Sequence, residues 1–385
     1  MSLPLNGVRV ADFSRVLAGP YCSMLLADLG ADVVKVESPQ GDETRTWGPP
    51  YAGGESAYYL SVNRNKRSVT LDLKKPEDRA LAFELLKQSD VLLHNFKSGD
   101  DVKLGLERSS VKKLNPTIVY AHISGYGSTG PEANKPGYDL LAQALTGLMS
   151  ITGPPEGEPH KVGVAVVDVL AGLNAALGIV ASLYAQKESP QFREVETSLL
   201  EAGLSSLVNV ASSYLITGKT PERYGNAHAS IVPYQAFQAQ DEVFVVAAAN
   251  DRQFEALAKT LERDEWLANE AFATNAARVS HRAVLVPLLE GVFKTQPRAH
   301  WLNLLETAGV PCAPVATLPE VFGSEQVRAL DMVQYCEQPS TGDLPLVAGG
   351  FKLDGQPTPL YRPPPLLGEH TGEVVEELRG GLEAD

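Results

Sequence analysis

The stretch GVRVADFSRVLAGPYCSMLLADLGADVVKVE, residues 7–37, decides the fold. Its opening, Gly7 to Ser14, alternates apolar and polar side chains with the two-residue period of a β-strand. Gly19-Pro20 introduces the apolar run YCSMLLADLG, in which proline suits the start of a helix and Gly30 its end. ADVVKVE then reads as a second strand. Strand, helix and strand in such close succession form the unit from which parallel sheets are built.

Outward from this unit the same rhythm continues. Strands are expected at Ser68–Leu73, Asp90–Phe96, Thr117–Ser124, Val162–Val167 and Phe192–Ser198. Helices are expected at Pro76–Gln88, Tyr138–Ser150, Asp168–Lys187 and Leu199–Thr217. The pattern predicts an α/β fold whose large domain is a wound, open-sheet, Rossmann-like layer. The character changes near Thr220. Pro221–Ala229 is loop-like, two short strands follow at Val232–Gln238 and Val243–Ala248, and helices follow at Arg252–Leu261, Arg282–Lys294 and Arg298–Ala308. Cys312–Thr317 returns to strand, and the proline-rich TPLYRPPPLLGEH is expected to lie extended on the surface. A chain of 385 residues exceeds what one core usually organises. The expected division is therefore a large α/β domain over 1–220 and 325–385, with a small α+β domain over 221–324.

The net charge of −14 argues against a nucleic-acid partner, because phosphate backbones demand clustered Lys and Arg. The three cysteines, Cys22, Cys312 and Cys336, are odd in number and widely spaced, and give neither a disulfide framework nor a CxxC pair. With no signal-peptide-like or amphipathic presequence at MSLPLNGVRV, a cytoplasmic location is the expectation. The most apolar run, Val162 to Tyr184, contains Asp168 and many Gly and Ala residues. It reads as strand and buried helix, not as a membrane span.

The motifs narrow the chemistry. Gly125-Tyr126-Gly127-Ser128-Thr129-Gly130 follows a strand, but Pro131, Pro136 and Gly137 come next where a dinucleotide fingerprint needs a helix. A glycine-rich turn shaping a ligand crevice is the better reading. The seven histidines show no metal-ligand spacing, and there is no GxSxG elbow. No metal is expected. Asn63-Arg64-Asn65-Lys66-Arg67 is the densest positive cluster, open to reading as a solvated turn or as a phosphate site. Asp168 ends the apolar VGVAVV and starts a long helix. By position alone it is either a capping residue or a nucleophile whose ionised form is favoured by the helix dipole.

These segments in order resemble the class III CoA-transferases of the formyl-CoA transferase type. The resemblance runs from about Leu5 to Leu378. It is carried by VLAGPYCSMLLADLGADVVKVE (16–37), NRNKRSVTLDLK (63–74), NFKSG (95–99), ISGYGSTGP (123–131), PGYDLLAQALTGLMSITG (136–153), VGVAVVDVLAGL (162–173), SIVPYQAF (230–237) and RPPPLLGEHT (362–371). Within the family the chain is most similar to the succinate–hydroxymethylglutarate CoA-transferase branch, on LTGLMSITGPPEGEPHKVGVAVVD, SYLITGKTPERYGNAHASIVPYQAF and AGVPCAPV.

The resemblance implies an interlocked ring homodimer, an exception to the rule that chains avoid threading. It implies Asp168 as the covalent catalytic residue, no tightly bound cofactor, and a coenzyme A thioester and carboxylic acids as substrates. Val16, Leu17 and Ala18 would line the pantetheine channel, and Leu71, Leu73 and Lys74 would border the adenosine. Asn95 and Phe96 would hold the pantetheine and base region, and Lys103, Lys135 and Tyr138 would lie along the CoA or acyl site. Trp47 and Tyr59 align with aromatic positions near the acyl pocket. For the distal carboxylate of a short dicarboxylate the candidates are Arg15 and His228.

The sequence departs from the family pattern in places. Ser38 stands where many members have Arg. Lys97 and Lys103 stand where Arg is usual, which loses the bidentate fork. Leu17 replaces a glutamine of formyl-CoA transferases, which speaks against oxalate as acceptor. The nucleophile-covering loop reads Ala247-Ala248-Ala249-Asn250, stiffer than its glycine-rich counterparts. The rival readings are an α-methylacyl-CoA racemase and a catalytically inactive CoA-binding protein. Racemases carry His where this chain has Tyr138, and a tyrosine is a poor base near neutral pH.

Overall fold

The computed structural model describes residues 3–382. Six strands, β1 (Arg9–Asp12), β2 (Asp32–Glu37), β3 (Lys66–Thr70), β4 (Val91–His94), β5 (Val119–Ser124) and β6 (Arg193–Ser198), form one sheet in the order β3-β2-β1-β4-β5-β6. Every pairing in it is parallel. This is the order of doubly wound nucleotide-binding sheets.

Helices cover both faces. On one lie α1 (Ala18–Asp28) and α4 (Val166–Gln186), packed on Val10, Val33, Val91, Leu93, Val119 and Ala121. On the other, α2 (Pro76–Lys87) joins the cluster of Ala11, Val34, Leu92 and Tyr120. Neighbours in sequence such as Val10 and Ala11 thus serve opposite cores, as the two-residue period of a strand requires. Between β5 and β6 the chain also forms α3 (Asp139–Leu145), and after β6 come α5 (Leu199–Ser205) and α6 (Val208–Thr217).

The chain divides into two compact units, residues 1–148, 162–219 and 325–385 in the first and residues 149–161 and 220–324 in the second. The second unit has a three-stranded antiparallel sheet of β7 (Tyr234–Gln238), β8 (Val243–Ala247) and β9 (Cys312–Pro314), with β8 central. Helices α7 (Asp251–Thr260), α8 (Arg282–Phe293) and α9 (Arg298–Thr307) close its core around Phe237, Phe244, Phe293 and Trp301. Residues 149–161, which the sequence pattern leaves in the large domain, belong to this unit. Arg223 ties them there by donating to the carbonyls of Pro154 and Gly157 at 3.1 and 2.6 Å.

Four expectations are corrected. Val162–Ala165 is not a strand but an irregular segment, and α4 begins at Val166. The expected helix over 199–217 is two helices meeting at a bend of 77°. The proline-rich tail does not simply lie on the surface: Pro364 and Pro365 are buried, and the Pro365 carbonyl accepts from Tyr59 Oη at 3.0 Å and Arg45 Nη2 at 3.2 Å. The basic cluster 63–67 is buried throughout and already paired, Arg64 with Asp28 at 2.5 Å, Lys66 with Asn63 at 2.9 Å and Arg67 with Asp32 at 2.5 Å. It braces the edge of the sheet and offers nothing to a phosphate.

Candidate active site

In this strand order the chain leaves β1 in one direction and enters β4 in the other, so the loops following these two neighbours diverge and open a crevice. A cavity of about 800 Å³ lies there. Arg15–Ala18 form one wall, Asn95–Gly99 the next, and Ser124–Gly125, Gly127–Thr129 and Lys135–Tyr138 a third. The Asn95 side chain bridges the switch point: its Oδ1 accepts from Arg15 N at 3.0 Å and its Nδ2 donates to Arg15 O at 2.8 Å. The glycine string after β5 is part of the lining. Gly125 and Gly137 approach so closely that a Cβ on Gly125 would stand 2.6 Å from Gly137 Cα.

Asp168 enters this cavity from the first turn of α4. It is the third residue of the helix, not its cap and not a strand end. The cap position is Ala165, which has no side chain to offer. A carboxylate from another element does the capping. Asp139, at the start of α3, accepts from Val167 N at 2.9 Å and from Asp168 N at 3.3 Å. Gln143, one turn later and fully buried, donates to Asp139 Oδ2 at 2.6 Å and accepts from Val162 N at 2.8 Å. Together they spool the apolar 162–167 segment out of strand geometry.

Among the described residues the Asp168 carboxylate accepts no hydrogen bond. Burial pushes its carboxyl up to about 7, and the neighbouring Asp139 charge pushes in the same direction. Desolvation and a like charge here oppose the helix dipole, which favours the ionised form. Near neutral pH such a carboxylate is partly ionised and poorly solvated, which suits a nucleophile.

Of the residues expected at the site, the cavity gathers Arg15, Val16, Leu17, Ala18, Asn95, Phe96, Lys135, Tyr138 and Asp168. The others are not among the residues that line it. Leu71 is buried in the core with Val34 and Val69, Leu73 packs on the same cluster, and Lys74 is exposed. Lys103 is exposed and paired with Asp100 at 2.7 Å. Tyr59 is fully buried under the Arg45 guanidinium, 3.7 Å from its ring centre. Trp47 packs edge-on against Tyr58, with centroids 5.3 Å apart. His228 lies in the second unit, where its Nδ1 accepts from Ser230 N at 3.0 Å. The Ala247–Asn250 loop is also in that unit, anchored by Asn250 Oδ1 accepting from Gln253 N at 2.9 Å.

The profile described as CoA-transferase family III matches residues 5–371. The chain belongs to this family. It is 41% identical over 376 residues to the succinyl-CoA:glutarate CoA-transferase of Homo sapiens, covering 97% of this chain and 86% of that one. It is 40% identical over 382 residues to the succinate–glutarate CoA-transferase of Agrobacterium fabrum, covering 97% and 96%. Among solved structures, a CAIB/BAIF family protein from Brucella suis superposes with a TM-score of 0.88 at 39% identity, covering 98% of this chain and 100% of that one.

For a family III CoA-transferase, the structure adds residues that sequence reading passed over. Tyr58 feels the nucleophile's charge: burial, then the Asp168 and Asp139 charges, push its phenol up to about 12. Along the far wall, Arg108 pairs with Glu194 at 3.0 Å, and His122 stands 3.6 Å from Glu196. Below Arg15, Lys35 and Asp42 form a fully buried ion pair at 2.9 Å. The sequence held one clue to it. A lysine in the middle of the apolar strand ADVVKVE must find a partner, since buried lysines are rare unless paired. Val16, next to this pair, has φ +70°, a conformation that costs a β-branched residue about 1–2 kcal/mol.

Proposed function

We propose that the chain transfers coenzyme A between short dicarboxylic acids through covalent intermediates on Asp168. The observation that carries this is the Asp168 carboxylate itself, set in the cavity with no hydrogen-bond donor to it among the described residues and with its carboxyl raised to about 7. Relatives named for succinate and glutarate supply the substrate class.

In the reaction so read, the Asp168 carboxylate attacks the thioester carbonyl of the donor. The C–S bond breaks, giving a mixed anhydride and CoA thiolate. The thiolate attacks the aspartyl carbonyl, expels the donor acid and leaves an aspartyl-CoA thioester. The acceptor carboxylate then repeats the two steps in reverse. Each intermediate keeps the acyl group activated, so the thioester energy passes to the product. The amides of Val167 and Asp168 are committed to Asp139, so they cannot serve the oxyanion. Those of Leu17 and Ala18, at the start of α1 and in the cavity wall, are proposed for this role.

Arg15 is the residue proposed for the distal carboxylate, because it is exposed in the cavity wall and has no ion pair among the described residues. The protein is proposed to work as an interlocked homodimer in the cytoplasm. Supporting the dimer, α4 and α6 carry broad uncovered apolar faces, with Leu177 71% and Ile216 83% exposed. Steady-state turnover of succinyl-CoA with acceptors of graded length tests the substrate class. Glutarate is expected to outrun acetate, and Arg15→Met to raise the KM for glutarate by about tenfold, the worth of one charge-assisted hydrogen bond, while leaving that for acetate unchanged. Equal use of acetate and glutarate by the wild type would contradict it.

A further inference from the structure

We infer that Asp42, backed by Lys35, is a positioning residue that holds the β1–α1 turn in the shape the nucleophile requires. This rests on the reading of Asp168 above. The turn from Ser14 to Gly19 stands where doubly wound proteins place a glycine-rich loop, yet its bend falls on Val16 at φ +70°. A valine there needs external support.

The support is visible group by group. Ser14 N donates to Asp12 Oδ1 at 2.9 Å, and Ser14 O accepts from Lys35 Nζ at 2.9 Å. Both backbone groups of Arg15 are held by Asn95. Val16 N faces both oxygens of Asp42, at 3.4 and 3.3 Å. The turn closes so tightly that a Cβ on Gly19 would stand 2.2 Å from Ser14 Cβ. From this clamped bend Leu17 and Ala18 pass directly into the cavity beside Asp168.

Asp42 has a plainer duty as cap of the short helical turn Glu43–Thr46, where its Oδ1 accepts from Thr44 N at 3.0 Å and Thr44 Oγ1 at 2.8 Å. That duty needs neither a charge nor a buried lysine. Asn or Ser would cap as well. The other oxygen, Oδ2, faces Lys35 and Val16. Buried ion pairs contribute little net stability against apolar groups of the same volume, so a pair placed under a strained turn points to geometry as its purpose. Asp42 is also close enough to the active site that its charge is felt at Tyr58 together with those of Asp168 and Asp139.

The test compares wild type with Asp42→Asn, and with Lys35→Met/Asp42→Leu in case a lone buried lysine prevents folding. Amide hydrogen exchange of residues 14–18 reads the clamp without reference to catalysis. Faster exchange there, with the rest of the sheet unchanged, is expected, and unchanged protection would overturn the inference. The consequence for chemistry is read by adding Val16→Gly, since glycine takes φ +70° unaided. The rate of adduct formation at Asp168 is expected to fall at least about tenfold in Asp42→Asn and to recover several-fold in Asp42→Asn/Val16→Gly. A double variant no faster than Asp42→Asn shows that Asp42 does not act through the turn. If the wild type itself forms no adduct, the reading of Asp168 fails and the exchange experiment alone decides the clamp.

Discussion

Asp168 owes its character to two neighbours that no local pattern joins to it. Burial raises its carboxyl to about 7, and Asp139 adds a like charge while capping the same helix. Below that value the group is neutral and not nucleophilic, so kcat/KM is expected to rise with pH and level off above about 7. Asp139→Asn keeps an acceptor for the helix amides but removes the charge. Its profile is expected to have a lower midpoint, still above an ordinary carboxyl because burial is the larger cause. The sign for stability runs the other way. The folded state holds the Asp168 proton more tightly than the unfolded chain, so this group favours folding in acid and loses that contribution as pH rises from about 4 through 7. A flat kcat/KM between about pH 5 and 8 would show that Asp168 does not titrate in the rate-determining group.

The elements divide into those with purely local causes and those shaped from a distance. Helix α4 is long and apolar enough to cross a membrane by length and composition, and only 33% of that window is covered. Its inner side is fixed by Ala171, Gly172 and Ala175 against α1, where a Cβ on Gly172 would stand 2.6 Å from Ala18 O. Its outer side, with that of α6, is the face proposed for the second copy. Sedimentation equilibrium is expected to give twice the 41.3 kDa chain mass, and Leu177→Glu/Ile216→Glu to lower it or prevent assembly. A wild-type monomer would contradict the proposed dimer. The β1–α1–β2 unit was legible in sequence because alternation, Pro20 and Gly30 act locally. VGVAVV was misread as a strand because Asp139 and Gln143, about twenty to thirty residues away, capture its backbone. The basic run 63–67 resembled a phosphate site because its acidic partners, Asp28, Asp32, Glu373 and Glu377, are remote in sequence.

At the scale of the whole molecule, the sheet order places the loops after β1 and β4 on either side of a crevice, and the site follows from that topology. Of the residues that the family resemblance implies, Val16–Ala18 at the β1–α1 turn and Asn95–Phe96 just after β4 line this crevice. Of the two adjacent tyrosines, Tyr58 feels the charge of the nucleophile and Tyr59 is fully buried. In the proposed reaction Asp168 becomes covalently loaded. Mass spectrometry of the protein after incubation with succinyl-CoA, with hydroxylamine trapping, tests it on wild type and Asp168→Ala. A CoA-sized adduct, or its hydroxamate, is expected on the peptide holding Asp168 and none in the variant. An adduct that survives in Asp168→Ala, or a wild type that stays unmodified by every short acyl-CoA while still exchanging CoA between acids, would contradict it.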